Sequence, residues 1–322
     1  MHRRASFIPL LALLGVPLWL AACMPAKPLT VGVHPWIGYE SLYLARDFGW
    51  LPPSLDLRTN TAAGNSLAAL KAGTIDAAAL TLDEVLLARA AGVPLTVVLV
   101  FDSSAGADVL LARPQITSMA ALAGKRVGYE PTAVGTLVLS EVLTRAGLSI
   151  DAIRPVELTP PGQLAAWRSG ELDAVVSYEP TATLLRHAGA VPLFDSRQMP
   201  DTIFDVLAVR SDRLAGRETA LRALLVAHFR ALDQLRDHGR DTVLRVVAHQ
   251  HVTAAEVQHA LNNVVIPDLA GNRYALGGNS RFAQAVHRMH ELMVQRALLP
   301  HPDNLDDLYT AAYLPAPKPA TP

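Results

Sequence analysis

Short apolar runs closed by Gly, Pro or polar turns alternate along the chain with stretches whose apolar residues recur every three to four positions. The first kind of pattern predicts strands at 29–34, 55–58, 75–80, 95–101, 109–112 and 204–210; the second predicts helices at 40–47 and 82–91, with an Ala-rich helix ending at Gly73. Strand and helix take turns, and the strand runs are apolar at nearly every position. That combination predicts an α/β chain with a parallel sheet covered on both faces. From Leu214 onward only the helical period persists, over 218–238, 241–249, 253–264 and 281–299, and these helices are expected on the first lobe defined below. The Pro-rich end, 314–322, reads as an unstructured tail.

One phrase occurs twice. Ala-Leu-Lys-Ala-Gly-Thr-Ile-Asp-Ala at 69–77 matches Ala-Trp-Arg-Ser-Gly-Glu-Leu-Asp-Ala at 166–174. Each reads as a helix with a basic last turn, a Gly at the left-handed cap, and an apolar strand entered through Asp. Upstream of each copy lies another matching pair, Val-Gly-Val at 31–33 leading through Gly38 to Leu51, and Val-Gly-Tyr at 127–129 leading through Gly135 to Leu148. Two similar α/β lobes with a cleft between them follow from that duplication. The polar segment 102–108 marks a first crossing between lobes and the strand at 204–210 a return, which sets the lobes at 27–103 plus 207–322 and at 104–206.

With 322 residues, 51% hydrophobic and 18% charged, the chain has enough apolar side chains for a large core. Its formal net charge of −1 supplies no field to attract nucleic acid or an anionic bilayer, so partners must be recognised locally. Residues 1–22 read as a leader: Arg3 and Arg4, then an apolar run broken by Pro9, Gly15 and Pro17, too short and interrupted for a membrane span. It ends in Leu-Ala-Ala-Cys, and Cys23 is the chain's one cysteine, so no internal disulfide can form. The run resembles the lipobox of bacterial lipoproteins, which implies acylation of Cys23 and an extracytoplasmic protein tethered by lipid; an ordinary signal peptide that leaves a free thiol is the alternative.

Several phrases together resemble a known family: Pro-Trp-Ile-Gly-Tyr-Glu at 35–40, the two Gly-to-Ala repeats, Tyr-Glu-Pro at 178–180 and Phe-Asp-Val-Leu at 204–207. In order and spacing they are similar to solute-binding proteins of ABC importers for nitrate, aliphatic sulfonates, taurine and thiamine-precursor pyrimidines. The resemblance implies a type II periplasmic binding fold, a monomer that closes on a small molecule and delivers it to an ABC permease and ATPase complex, and no cofactor.

In a doubly wound sheet, ligands sit beyond the carboxyl ends of the strands. That rule selects Trp36, Gly38, Tyr39 and Glu40 after the first strand, Asn65 and Ser66 after the second, and Thr81 and Asp83 after the third. On the second lobe it selects Tyr129, Glu130, Thr132, Gly135, Thr136, Tyr178 and Glu179, while the crossings add Asp102, Ser103, Ser104, Asp108 and Asp205. Carboxylates dominate this set and Lys and Arg are nearly absent from it. An acidic pocket favours a zwitterionic or cationic organic nitrogen compound, and the helix N-termini at Asn65-Ser66 and Gly135-Thr136 leave room for a sulfonate.

No nucleophile and base stand at motif spacing, and there is no P-loop or dinucleotide Gly fingerprint. The rival enzyme reading comes from same-fold relatives in pyrimidine or menaquinone synthesis, with His34 as its candidate residue; a ligand-sensing lipoprotein without transport is a third reading. The histidines His249, His251, His259, His287 and His290 raise a zinc hypothesis, weakened by the absence of a cysteine among them.

Overall fold

A computed structural model describes residues 27–237, 239–299 and 301–316. Cys23, the leader at 1–22 and the tail beyond 316 lie outside the described residues.

The chain runs β1 (Leu29–Val33), α1 (Glu40–Asp47), β2 (Leu55–Thr59), α2 (Ala63–Lys71), β3 (Ala77–Thr81), α3 (Leu82–Ala90) and β4 (Leu95–Ser104). There follow β5 (Asp108–Ala112), β6 (Arg126–Tyr129), α4 (Ala133–Ala146), β7 (Arg154–Glu157), α5 (Pro160–Arg168), β8 (Ala174–Tyr178), α6 (Thr181–His187) and β9 (Val191–Asp195). The last part comprises β10 (Phe204–Arg210), α7 (Glu218–Asp237), α8 (Gly239–Gln250), α9 (Ala254–Leu261), β11 (Val264–Val265), α10 (Leu269–Ala275) and α11 (Arg281–Gln295).

Two sheets form. One has the order β11-β4-β10-β3-β1-β2, the other β7-β6-β8-β5-β9. The parallel triplets β2-β1-β3 and β7-β6-β8 are the two copies of the repeat seen in the sequence. An all-parallel sheet is the expectation that fails: β10 runs antiparallel to both β3 and β4, and β5 antiparallel to both β8 and β9. Each of those strands enters its sheet from the opposite lobe and therefore from the opposite end. Continuous apolar character reports burial on both faces, which a central antiparallel strand shares.

The duplicated phrase has a physical basis that is the same in both copies. Gly73 and Gly170 stand at φ +67° and +81°, the left-handed cap that ends α2 and α5. Three residues on in each copy, an Asp reaches back to the neighbouring strand. Asp76 accepts from the Thr30 backbone N–H at 3.0 Å and Asp173 from that of Arg126 at 2.8 Å, while their own N–H groups donate to the carbonyls of those residues. Each carboxylate also holds a guanidinium, Arg217 at 2.8 Å for Asp76 and Arg126 at 2.8 Å for Asp173.

The chain passes between the sheets at 105–107 and again at 196–203, so Ser104 and Phe204–Val206, expected on the second lobe, belong to the first sheet because β10 pairs with β3 and β4 and Ser104 pairs with β11; the two crossing segments are bonded together. Ser196 Oγ lies 2.7 Å from Ser104 Oγ and accepts from the Gly106 N–H at 2.7 Å; the Ser104 N–H donates to the Ile203 carbonyl at 3.0 Å. A paired connection of this kind constrains the lobes to move along one path.

The later helices pack on the first sheet's side, α7 on α1 and α11 on α3. Three expectations for this region are corrected. The helix expected over 253–264 stops at Leu261, because Asn262 and Asn263 end it and Val264–Val265 pairs as β11 with β4. The helix expected to reach 299 ends at Gln295. Leu314 is buried, and the Pro315 carbonyl accepts from Arg273, so the start of the Pro-rich segment is docked.

Asp76→Ala leaves the buried Thr30 N–H without an acceptor and Arg217 without its partner, and should lower unfolding free energy by about 1–3 kcal/mol. Asp76→Asn, which keeps an acceptor oxygen, should lose less; urea denaturation curves of the three proteins measure the difference.

Candidate functional site

Where the carboxyl ends of the parallel strands meet the seam between lobes, a small cavity lies among His34, Trp36, Ala63, Thr81, Glu84, Ile203 and Asp205 on one side and Asp108, Val134 and Tyr178 on the other. Its volume, about 20 Å³, admits one water molecule. The lobes are therefore shut on each other. Trp36 and Tyr178 meet edge to face across the seam with ring centroids 5.8 Å apart.

Local structure explains how these groups arrive. β1 ends at Val33, and the turn after it swings Trp36 over Asp102, whose Oδ2 accepts from the indole Nε1 at 3.0 Å. Gly38 is required beside that bond: a Cβ there would fall 1.7 Å from Asp102 Oδ2 and 2.7 Å from Trp36 Nε1. Tyr39 is fully buried and its hydroxyl donates to Asp205 at the start of β10. On the second lobe the Tyr178 hydroxyl donates to Glu130 Oε2 at 3.0 Å. At the junction of β3 and α3, Glu84 turns back and accepts from the Thr81 N–H through Oε2 at 3.0 Å, and its other oxygen, Oε1, is left without a partner.

The electrostatics are one-sided. Glu84, Asp108 and Asp205 line the cavity, with Asp83 and Asp102 buried behind them, and no Lys or Arg is among the lining residues described. Burial pushes Glu84 up to about 8, reinforced by the charge of Asp83. Burial likewise raises Asp102 to about 8, against the bond from Trp36, and Asp108 to about 7, against the bond from Ser104. Asp83 rises to about 6 for the same reason. Asp205 is driven well above the usual carboxylate range by burial and then by Asp102. His34, buried, is pushed down to about 4, so the imidazole beside these acids is neutral and offers them no charge. Polar atoms without a partner collect here: His34 Nδ1, Glu84 Oε1, Asp102 Oδ1 and Asp108 Oδ2. Buried polar atoms are almost always paired, so such a concentration marks a place that expects donors from outside.

Of the residues selected from sequence, Trp36, Thr81, Asp108, Tyr178 and Asp205 line the cavity. Gly38, Tyr39, Asp83, Asp102 and Glu130 stand behind them, and Ser104 holds the crossing. Others are engaged elsewhere. Glu40 faces α8, where it meets His249 Nδ1 at 2.7 Å and Gln250. Glu179 accepts from the Thr183 N–H at 3.1 Å and from Arg186 at 2.6 Å, fixing the start of α6. Tyr129 donates outward to Glu157 at 3.1 Å, and Asn65 accepts from Thr61 at 3.0 Å on the surface. Ser66 accepts from Asn60 at 2.8 Å; Ser103 is half-buried in β4 opposite Phe204. Thr132 caps α4 by accepting from the Gly135 N–H at 3.2 Å, and the Thr136 N–H donates to the Thr132 carbonyl. Sequence reasoning missed Glu84 and Ile203. The signal for Glu84 was present as Thr81-x-x-Glu84, the spacing of a capping box.

Among the described residues no group of three or more His, Cys, Asp or Glu side chains is arranged to hold a metal ion. His249 bridges Glu40 and Asp47 at 2.7 Å each, His259 contacts Asn263 at 3.2 Å, and His290 accepts from the Asp303 N–H at 3.2 Å. No described helix is long and apolar enough to cross a membrane.

The taurine-binding periplasmic protein of Escherichia coli K12 is 26% identical over 162 residues, 49% of this chain and 50% of that protein. The putative aliphatic sulfonates-binding protein of the same organism is 30% identical over 186 residues, 56% of this chain and 57% of that protein. The chain thus spans about half the length of the curated relatives it matches. The alkanesulfonate-binding protein SsuA from Xanthomonas axonopodis pv. citri, bound to MOPS, superposes with a TM-score of 0.72 at 21% identity, covering 89% of this chain and 99% of that one. The desulfurization enzyme DSZB superposes with a TM-score of 0.61 at 19% identity, covering 88% and 97%. The fold is that of the periplasmic binding proteins, and both binding proteins and an enzyme are built on it. A family model described as NMT1-like matches residues 23–248, and the chain belongs to the NMT1-like family.

Proposed function

We propose that this protein is an extracytoplasmic solute receptor, anchored by lipid at Cys23, that closes its lobes on a small organic cation or zwitterion and hands it to an ABC importer. The observation that carries the reading is the convergence of Glu84 and Asp205 from one lobe and Asp108 from the other on a cavity that no cationic side chain lines. A buried carboxylate without a counter-charge costs several kcal/mol, so a ligand bearing an amine or amidine gains what the protein leaves unpaired. An anionic end has a place as well. Ala63 and Val134, in the first turns of α2 and α4, face the cavity, and the N-cap of α2 is Ala62, which has no side-chain acceptor for the free N–H groups. A relative that binds taurine, a zwitterion, is consistent with both features. The cavity's small volume supports a compact ligand admitted by parting of the lobes. Binding is favoured over catalysis because the lining residues include no Cys or Ser nucleophile.

Three outcomes follow. In a thermal-shift panel, taurine, β-alanine and agmatine should raise the melting temperature above the level reached with nitrate or ethanesulfonate; a preference for the simple anions would sink the cationic reading. Because folding raises the carboxyl pKa values of Glu84, Asp102 and Asp108, the folded state holds more protons than the unfolded one. The stability this confers is full at acid pH and lost as pH rises through about 7 to 8, so the melting temperature of the ligand-free protein should fall between pH 6 and pH 9. Glu84→Gln should flatten that slope. Finally, Cys23→Ser should shift the protein from the membrane fraction to the soluble fraction on cell fractionation, and unchanged attachment would reject the lipid anchor.

A further inference from the structure

Two contacts cross the seam through residues that do not line the cavity, and they share a design. Glu141 on α4 accepts from Arg145, four residues along its own helix, through Oε1 at 2.8 Å, and from Arg296, at the end of α11 in the other lobe, through Oε2 at 3.1 Å. Arg296 also donates to Ser140 Oγ at 3.0 Å. On the α6 side, Glu256 of α9 accepts through Oε2 from the Thr253 N–H at 2.7 Å and hydroxyl at 2.8 Å, and its Oε1 meets His187 of α6. In each case one carboxylate oxygen is fixed within its own lobe and the other is offered across the seam.

We propose that Glu141–Arg296 and Glu256–His187 are clasps that set the open–closed equilibrium, so that these residues tune ligand affinity without touching ligand. The inference rests on the hinged-receptor reading above. An isolated exposed ion pair gains little because two mobile side chains must be ordered at once. Here the acid is already ordered by Arg145 or by the capping box, and only the partner loses freedom. Arg296 and Glu141 are each about one-fifth exposed, which reduces screening at that clasp, whereas His187 is 59% exposed and its clasp should be the weaker. Opening the lobes breaks both contacts together with the apolar contact of α3 on α4 while each sheet keeps its strand pairing, so the two polar contacts bias an equilibrium to which that packing also contributes.

The test uses the full chain with Cys23→Ser and spin labels at Lys71→Cys and Arg168→Cys, exposed positions at the ends of α2 and α5. Electron–electron distance distributions should show Arg296→Ala raising the open-to-closed ratio about threefold to tenfold and His187→Ala about twofold, with multiplied effects in the double variant. A double variant whose distribution matches the parent's would overturn the clasps. A parent that takes up both distances but responds to none of the panel's solutes would overturn the receptor reading instead. Melting temperatures within about 2 °C of the parent would show that the variants act on the seam; a larger fall would count against the clasps.

Discussion

Like charges cannot be brought together in a dry place without help, and this constraint governs the seam between the lobes. Glu84 and Asp205 stand on one wall and Asp108 on the other, with Asp83 and Asp102 a layer behind. Parted lobes let water solvate each carboxylate separately. Closure removes that water, and the acids must then take up protons, as their raised pKa values express, or find donors. Either answer is a binding event. A cation with several N–H groups satisfies the charge and the unpartnered oxygens together, whereas protons satisfy only the charge. The nitrogen ligand proposed above would therefore relieve a cost that the shut seam itself imposes.

The framework that permits such a seam is built for rigidity elsewhere. In each lobe an Asp just before a strand clamps the neighbouring parallel strand and a guanidinium, Asp76 with β1 and Arg217 and Asp173 with β6 and Arg126. The direct bonds from Arg126 hold Asp173 at about 2, so that carboxylate stays charged and paired while burial pushes those at the seam toward the neutral form. The molecule thus sorts its carboxylates by surroundings. Those met by a guanidinium at the base of the sheets lock the lobes, and those at the top, given only neutral donors, keep unpartnered oxygens.

The duplicated phrase at 69–77 and 166–174 was legible because it encodes a local structure with strict needs: a glycine at positive φ, then an Asp at fixed distance. The crossings and the loops at the strand ends were legible from polarity, and the acidic bias of the cavity from composition of those loops. Strand direction was not, since β5 and β10 are as apolar as their parallel neighbours and only the path of the chain sets their sense. Side-chain aim was not either. Glu40 and Glu84 each lie in the first turn of a helix after a strand, yet Glu40 is drawn to His249 and Gln250 by α8, an element two hundred residues away, while Glu84 folds back on Thr81 and faces the seam. Partners contributed by distant segments decide which of two similar acids serves the site.

Closure is then a balance between two sets of carboxylates. Those in the cavity oppose it because they lose water and gain no partner; Glu141 and Glu256 at the rim favour it because each keeps one bond and adds another. Rim contacts of this kind supply on the order of 1 kcal/mol each, and an acid left unpaired in the cavity opposes by at least as much. Apolar contact across the seam, where α3 packs on α4, adds to the side that favours closure. A ligand that neutralises even one of the buried acids shifts the sum toward the closed state, and it does so more strongly the less the rim has already contributed. On the receptor reading affinity is therefore distributed: the acids at Glu84, Asp108 and Asp205 would select the ligand, and the proposed clasps at Arg296 and His187 would set how much of that selectivity is expressed as binding.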